Sequence, residues 1–128
     1  MNCTPCRAAT SENVYIIGEQ VKIVTMSLIG LWANTCLDSI SIDTAFLGTN
    51  GFQNFSGPCS DSFQDAEIKK KILERSKKSI TLADSSKCKS NALAQFAMWK
   101  EIDYLIMDTP AEMDRIKQIE ESTNVVLV

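Results

Sequence analysis

Short apolar runs alternate with segments of helical periodicity from Ile42 to Val128, and this alternation constrains the fold more than any other feature of the chain. Ile42–Leu47, Ile80–Ala83, Tyr104–Met107 and Val125–Val128 are too short for buried helices and are bounded by Gly, Asp, Ser or Asn, which is the pattern of core strands. Between the first two runs, Asp61 can cap a helix from Ser62 to about Lys77. Between the last two, Thr109-Pro110-Ala111-Glu112 has the form of a capping box with proline at the first helical position, which predicts a helix over Ala111–Glu121. Strand, helix and strand in that order predict right-handed crossovers, and hence an α/β fold whose mostly parallel sheet is flanked by helices.

Val14–Ile17, closed by Gly18, is a further candidate strand, and Val21–Val24 is a second strand or an extended link. From Ser27, available as N-cap, Leu28, Ile29, Leu31, Trp32, Cys36 and Leu37 recur at helical spacing and predict the first packed helix. Phe52–Ser60, which carries Gly57-Pro58, reads as a loop, and Asn91–Met98 as a short helical turn. In the helix after Asp61, Ala66, Ile68, Ile72 and Leu73 share one arc at about 100° per residue, with Glu67, Lys71, Glu74 and Arg75 opposite. Lys69 falls inside the apolar arc. Its amine either points toward a ligand at the sheet edge or snorkels past the core to reach water.

A chain of 128 residues fits one domain, since domains run to roughly 100–200 residues. Its 45% hydrophobic and 23% charged residues exclude a disordered polymer. A net charge of -3 argues against nucleic acid as the direct partner, because duplex binding rests on basic side chains facing phosphates. The basic cluster of Lys69–Lys71 with Lys77 and Lys78 reads as a solvated helix face. No apolar run reaches the roughly 18 residues of a membrane span, and Met1–Thr10 has no signal-peptide core, so a cytoplasmic protein with no membrane partner is expected. Cys3, Cys6, Cys36, Cys59 and Cys88 are expected to be free thiols. Cys3-Thr4-Pro5-Cys6 stands alone in a chain without histidine, so neither a metal site nor a cofactor is expected.

Two loops carry the candidate chemistry. Ile42–Leu47 ends in Gly48-Thr49-Asn50-Gly51, and the run beginning at Ser79 ends in Asp84-Ser85-Ser86-Lys87. Parallel strands bring their C-terminal ends to one edge, where open α/β sheets bind small ligands, so the loops should meet if their strands are neighbours. Gly48 and Gly51 permit positive φ and close backbone approach, which would let amides face an anion. Lys87 would compensate a phosphate and Asp84 would accept hydrogen bonds from sugar hydroxyls. The plainer reading of the second loop is a strand-to-helix turn capped by Asp84 or Ser85, with Lys87 solvated. Gly48, Thr49, Asn50, Gly51, Lys69, Asp84, Ser85, Ser86 and Lys87 are thus the candidate ligand residues, and none is given a catalytic role.

In order, Val14-Tyr15-Ile16-Ile17-Gly18, the run from Ile42 through Gly51, Asp65-Ala66-Glu67-Ile68-Lys69, Leu82–Lys87 and Ile102–Asp108 resemble the C-terminal effector-sensing domain of DeoR-type bacterial transcriptional repressors. The resemblance covers residues 14–128, leaving 1–13 as a segment whose structure the sequence determines poorly. It implies a three-layer Rossmann-like fold similar to that of ribose-5-phosphate isomerase, a phosphorylated sugar as effector, a homo-oligomer, and contact with DNA only through a helix-turn-helix domain. It places that family's effector-site aspartate and lysine at Asp84 and Lys87. In such repressors the sensor follows the helix-turn-helix domain and opens with a strand and loop that help hold phosphate. Met1–Thr10 has no pattern long enough for a recognition helix, so the chain is expected to lack both. Gly18-Glu19 also departs from the paired glycine that the resemblance implies after the first strand.

An isomerase is the competing activity, and it needs a general base near a carbon-bound proton. The isomerase family has an acid-rich loop where this chain has Gly48-Thr49-Asn50-Gly51-Phe52, and neither Thr49 nor Asn50 can serve as that base. A non-enzymatic sensor is therefore expected. A third reading is an oligomerisation module or a folded remnant without ligand, with Trp32, Phe96 and Trp99 as anchors, although large aromatics at helical spacing are more often core.

Overall fold

The structure, a computed structural model, describes residues 13–18, 20–23, 27–110 and 112–128. Its elements run β1 (Gln20–Lys22), β2 (Ser27–Ile29), α1 (Leu31–Asp38), β3 (Ile42–Gly48), β4 (Cys59–Ser60), α2 (Phe63–Glu74), β5 (Ser76–Ala83), β6 (Ala94–Gln95), β7 (Tyr104–Met107), α3 (Asp114–Glu120) and β8 (Asn124–Leu127). The four apolar runs become a parallel sheet in the order β3-β5-β7-β8, with Phe46 paired to Ile80, Ile80 to Tyr104 and Tyr104 to Asn124. This is the Rossmann-like α/β fold, a parallel sheet flanked by helices, that the alternation and the resemblance imply.

Successive strand residues point to opposite faces, so each strand has a core side and an outer side. Ala45, Leu47, Leu105 and Met107 are buried in one cluster with Ile68 and Ile72 of α2 and Ile116 and Ile119 of α3. The strand order advances in a single direction, and right-handed crossovers therefore set α2 and α3 on the same side. The other side carries Phe46, Ile80, Leu82, Tyr104, Ile106 and Val126 at matched register. There Phe46 is 62% exposed, Leu82 45% and Val126 40%. On the helical side α1 packs against α2 and β2 and buries Ala33 and Leu37. Two antiparallel pairs, β1 with β2 and β4 with β6, complete the described structure.

The apolar arc of α2 lies as its periodicity predicts, with Ala66, Ile68 and Ile72 buried and Glu67, Glu74 and Arg75 exposed. Ser62 rather than Asp61 caps it, accepting a hydrogen bond from the Asp65 amide at 3.1 Å. The helix stops at Glu74, short of Lys77, because Arg75 turns its amide back on Lys71 and Ile72 and its side chain to the Ile40 carbonyl, and β5 starts at Ser76.

Four other expectations fail where a long-range partner decides the conformation. Val14–Ile17 is not a strand: residues 13–18 take no ladder pairing, and only Ile17 packs on the core. Ser27 does not cap a helix, because it pairs with Lys22 in the β1–β2 ribbon. The helix begins after Gly30, whose φ of 125° is strained for an L side chain and turns the chain out of β2. Asn91–Met98 is not helical, since the Leu93 and Phe96 amides bond the Ser60 and Pro58 carbonyls and draw the segment alongside β4. The box at Thr109 stays open because Glu112 bonds Lys89 at 3.2 Å, and α3 begins only at Asp114. The Cys3–Cys6 motif and Glu19 lie outside the described residues.

Candidate functional site

Pairing of Gly48 with Leu82 sets the ends of β3 and β5 side by side, so the loops that follow them meet. The Phe52 amide donates to the Lys87 carbonyl at 3.1 Å, and the Gln53 amide to the Ser90 carbonyl at 3.2 Å. Gly51 makes the close approach expected of it: a Cβ there would stand 2.1 Å from the Ser90 carbonyl oxygen. Neither Gly48 nor Gly51 uses the positive φ that its glycine permits. A cleft of about 510 Å³ opens at this edge, lined by Gly48, Thr49, Asp84 and Lys87 and floored by Leu82, Ile106 and Val128.

The candidate residues divide into three groups. Gly48, Thr49, Asp84 and Lys87 line the cleft together. Ser85 and Ser86 line a neighbouring hollow of about 290 Å³, shared with Cys88, Lys89 and Arg115. Asn50, Gly51 and Lys69 lie behind, outside the cleft wall. Asn50 accepts from the Asp61 amide at 3.3 Å, which fixes the entry to α2. Lys69 takes neither of the two positions open to it from the sequence. It is 12% exposed and pairs with Asp65 at 2.9 Å, its amine 5.3 Å from the centre of the Phe96 ring. Burial raises the Asp65 carboxyl, but Lys69 and the Ser60 hydroxyl, 2.5 Å away, together hold it below the ordinary carboxylate range.

The loop amides are spent within the protein. Asn50 donates to the Cys59 carbonyl, and Gly51 to the Thr49 hydroxyl, which itself bonds the Cys59 carbonyl at 2.9 Å. Ser86 gives its amide to the Asp84 carboxylate at 2.9 Å and its hydroxyl to the same oxygen. These donors, the hydroxyl first, depress the Asp84 pKa. Asp84 thus caps the 3₁₀ turn Ser85–Cys88, so the plainer reading of this loop holds for its backbone. The Lys87 amine stays loosely tied, 3.8 Å from Asp84 and partly exposed.

One cleft residue escapes sequence reasoning. Asp108 follows β7 as Asp84 follows β5, and it accepts the Ser85 amide at 2.5 Å and the Ser85 hydroxyl at 2.9 Å. Its acidic position one residue past an apolar strand was the available signal. Outside the cleft, Arg115 also escapes sequence reasoning: from α3 it donates to the Phe52 carbonyl at 2.9 Å and to the Phe55 carbonyl, pinning the loop Phe52–Phe55. Among the described residues, no group of three or more His, Cys, Asp or Glu is placed to hold a metal ion, and no helix is long and apolar enough to cross a membrane.

Residues 5–109 match the family model of the DeoR C terminal sensor domain. The chain belongs to that family. A helix-turn-helix-type transcriptional regulator of Haloferax volcanii, GlpR, is 30% identical over 87% of this chain and 44% of its own length. An uncharacterised regulator of the same type from Bacillus subtilis, FruR, is 32% identical over 89% of this chain and 45% of its own. The lactose phosphotransferase system repressor of Streptococcus mutans is 25% identical over 98% and 51%. The chain spans about half the length of the curated relatives it matches. The DeoR-type sensor contains, between its two loops and Asp108, a mostly apolar cleft with charged side chains at its rim, at the edge where α/β sheets bind ligands.

Proposed function

We propose that this DeoR-type sensor binds a phosphorylated sugar or sugar derivative in the cleft between Gly48-Thr49 and Asp84–Lys87, as the effector domain of a sugar-metabolism repressor. The observation that carries the reading is the convergence of Asp84, Asp108 and a loosely held Lys87 on one apolar-floored cleft. Lys87 is suited to a phosphate, the two carboxylates to sugar hydroxyls, and Leu82 and Ile106 to the ring's apolar face. Because the loop amides are bonded internally, the lysine charge carries the phosphate recognition in this reading. The relative named as a lactose phosphotransferase system repressor supports sugar chemistry for this chain. DNA would be contacted through a helix-turn-helix domain, as the descriptions of the relatives suggest.

The same chemistry favours sensing over isomerisation. An efficient general base has a pKa near the working pH, whereas Asp84 is depressed by its Ser86 donors and is a weak base. Thermal melts with a panel of sugar phosphates and their unphosphorylated parents test the proposal, since a ligand at 100 times its dissociation constant adds about 2.7 kcal/mol. The expected result is a shift with one phosphosugar that is absent with its parent and lost in Lys87→Ala. No shift with any phosphosugar, in a chain that melts cooperatively, refutes it.

A further inference from the structure

Among the described residues, the buried side-chain nitrogens left without a hydrogen-bond partner are Nε1 of Trp99 and Nε of Arg115. A buried donor without an acceptor is destabilising, and native structures keep few of them. Both residues wall one hollow of about 220 Å³, between the 3₁₀ turn Trp99–Glu101 and α3.

The surroundings hold both side chains in place. Trp99 is 5% exposed, its ring stands edge-on to Phe52, and its amide donates to the Ser56 carbonyl at 3.0 Å. Arg115 gives Nη1 to Gln118 at 3.1 Å and Nη2 to the Phe52 and Phe55 carbonyls, so Nε is the nitrogen not yet used. Ser56, Lys100, Gln118 and Ser122 complete the polar wall, and no Asp or Glu lines it. Glu101, next in the turn, accepts the Met98 amide at 2.7 Å. The Ile119 carbonyl, toward the negative end of α3, already accepts the Ser122 and Thr123 amides, which leaves the cationic side chains to set the sign of the hollow.

Two cations, an indole N–H and two hydroxyls suit a charged group that only accepts hydrogen bonds, and a phosphate offers several such oxygens. The volume falls below the roughly 300–1,000 Å³ of clefts for larger ligands, which fits a small anion. We propose that this hollow is a second binding site, taking a phosphate group on Arg115, Lys100 and the Trp99 indole N–H. It shares no lining residue with the cleft of Asp84 and Lys87, and the inference does not depend on the effector reading.

The chain's two tryptophans, Trp32 and Trp99, provide the test through their indole N–H resonances in the ¹⁵N-labelled chain, with circular dichroism confirming the fold of each variant. Inorganic phosphate should move the Trp99 signal saturably, with a dissociation constant of about 1 mM, and leave exposed Trp32 in place. Methyl phosphate titrated in parallel tells a site for the free ion from one for a phosphomonoester, by which of the two binds tighter. Arg115→Lys keeps the charge without Nε and should weaken binding about tenfold. Lys100→Glu, a reversal at the exposed rim, should weaken it about threefold or more. Lys87→Ala should leave the Trp99 titration unchanged. A Trp99 signal that stays still up to about 20 mM of either phosphate overturns the proposal, as does an equal response to sodium chloride at matched ionic strength. So does wild-type affinity in both Arg115→Lys and Lys100→Glu, or a response lost in Lys87→Ala, which would assign the anion to the other cleft.

Discussion

Asp65 shows burial and charge pulling one residue in opposite directions: burial raises its carboxyl, and Lys69 with Ser60 outweighs that and lowers it. Asp84 is lowered as well, chiefly by the Ser86 hydroxyl. A carboxyl depressed in the folded state adds stability above its unfolded pKa and loses it as pH falls through the folded value. Denaturant midpoints should therefore hold steady above about pH 5 and decline as pH falls below about 4. Replacing Lys69 by Met leaves a buried carboxylate without its cation, and is expected to cost about 3 kcal/mol at pH 7. Most of that loss should vanish near pH 3, where Asp65 is protonated in the variant, and urea titrations at the two pH values check both effects. Lys69 is visibly out of place in the amino-acid sequence, and its partner stands four residues earlier at helical pairing distance. What the periodicity does not show is that Ser60, from a two-residue strand, closes over the pair.

Elements whose own pattern suffices are legible from the chain, and elements that depend on a partner are not. β3, β5, β7 and β8 lie where the apolar runs place them because each run supplies a buried side of its own. The segments near Ser27, Asn91 and Thr109 have plausible local helical signals, but strand pairing with Lys22 and hydrogen bonds to Ser60 and Lys89 prevail over them. The loop Phe52–Pro58 illustrates the same dependence. Its Phe52 ring is fully buried edge-on to Trp99 at 5.1 Å, while its carbonyls are held from α3 by Arg115. Truncating Arg115 to Ala should speed amide exchange across residues 52–57 and leave the ladder of β3 and β5 protected, which residue-resolved exchange would detect. Uniform loss of protection would mean instead that the contact supports the whole domain.

For the whole molecule, one hydrophobic cluster runs from Ile29 and Leu37 through the sheet to Ile119. Unfolding is expected as a single transition, with near- and far-ultraviolet dichroism changing together, and divergence of the two signals would refute a shared core. The convergence of Gly48, Thr49, Asp84 and Lys87 was legible because one crossover makes β3 and β5 neighbours. Asp108 was not, because its place depends on β7 lying beside β5, which no local pattern states. The aromatic anchors part in the same way, Phe96 and Trp99 in the core and Trp32 at the surface. The strand order also bears on how the chain reaches this state. Every ladder in the parallel sheet joins segments separated by a helix or a long connection, as Ile42 with Ser76 shows, so none of its strand pairs can form by a local hairpin. Loop closure then precedes any reward from pairing, and folding should proceed in milliseconds or longer, with β3, α2 and β5 as its first cooperative unit.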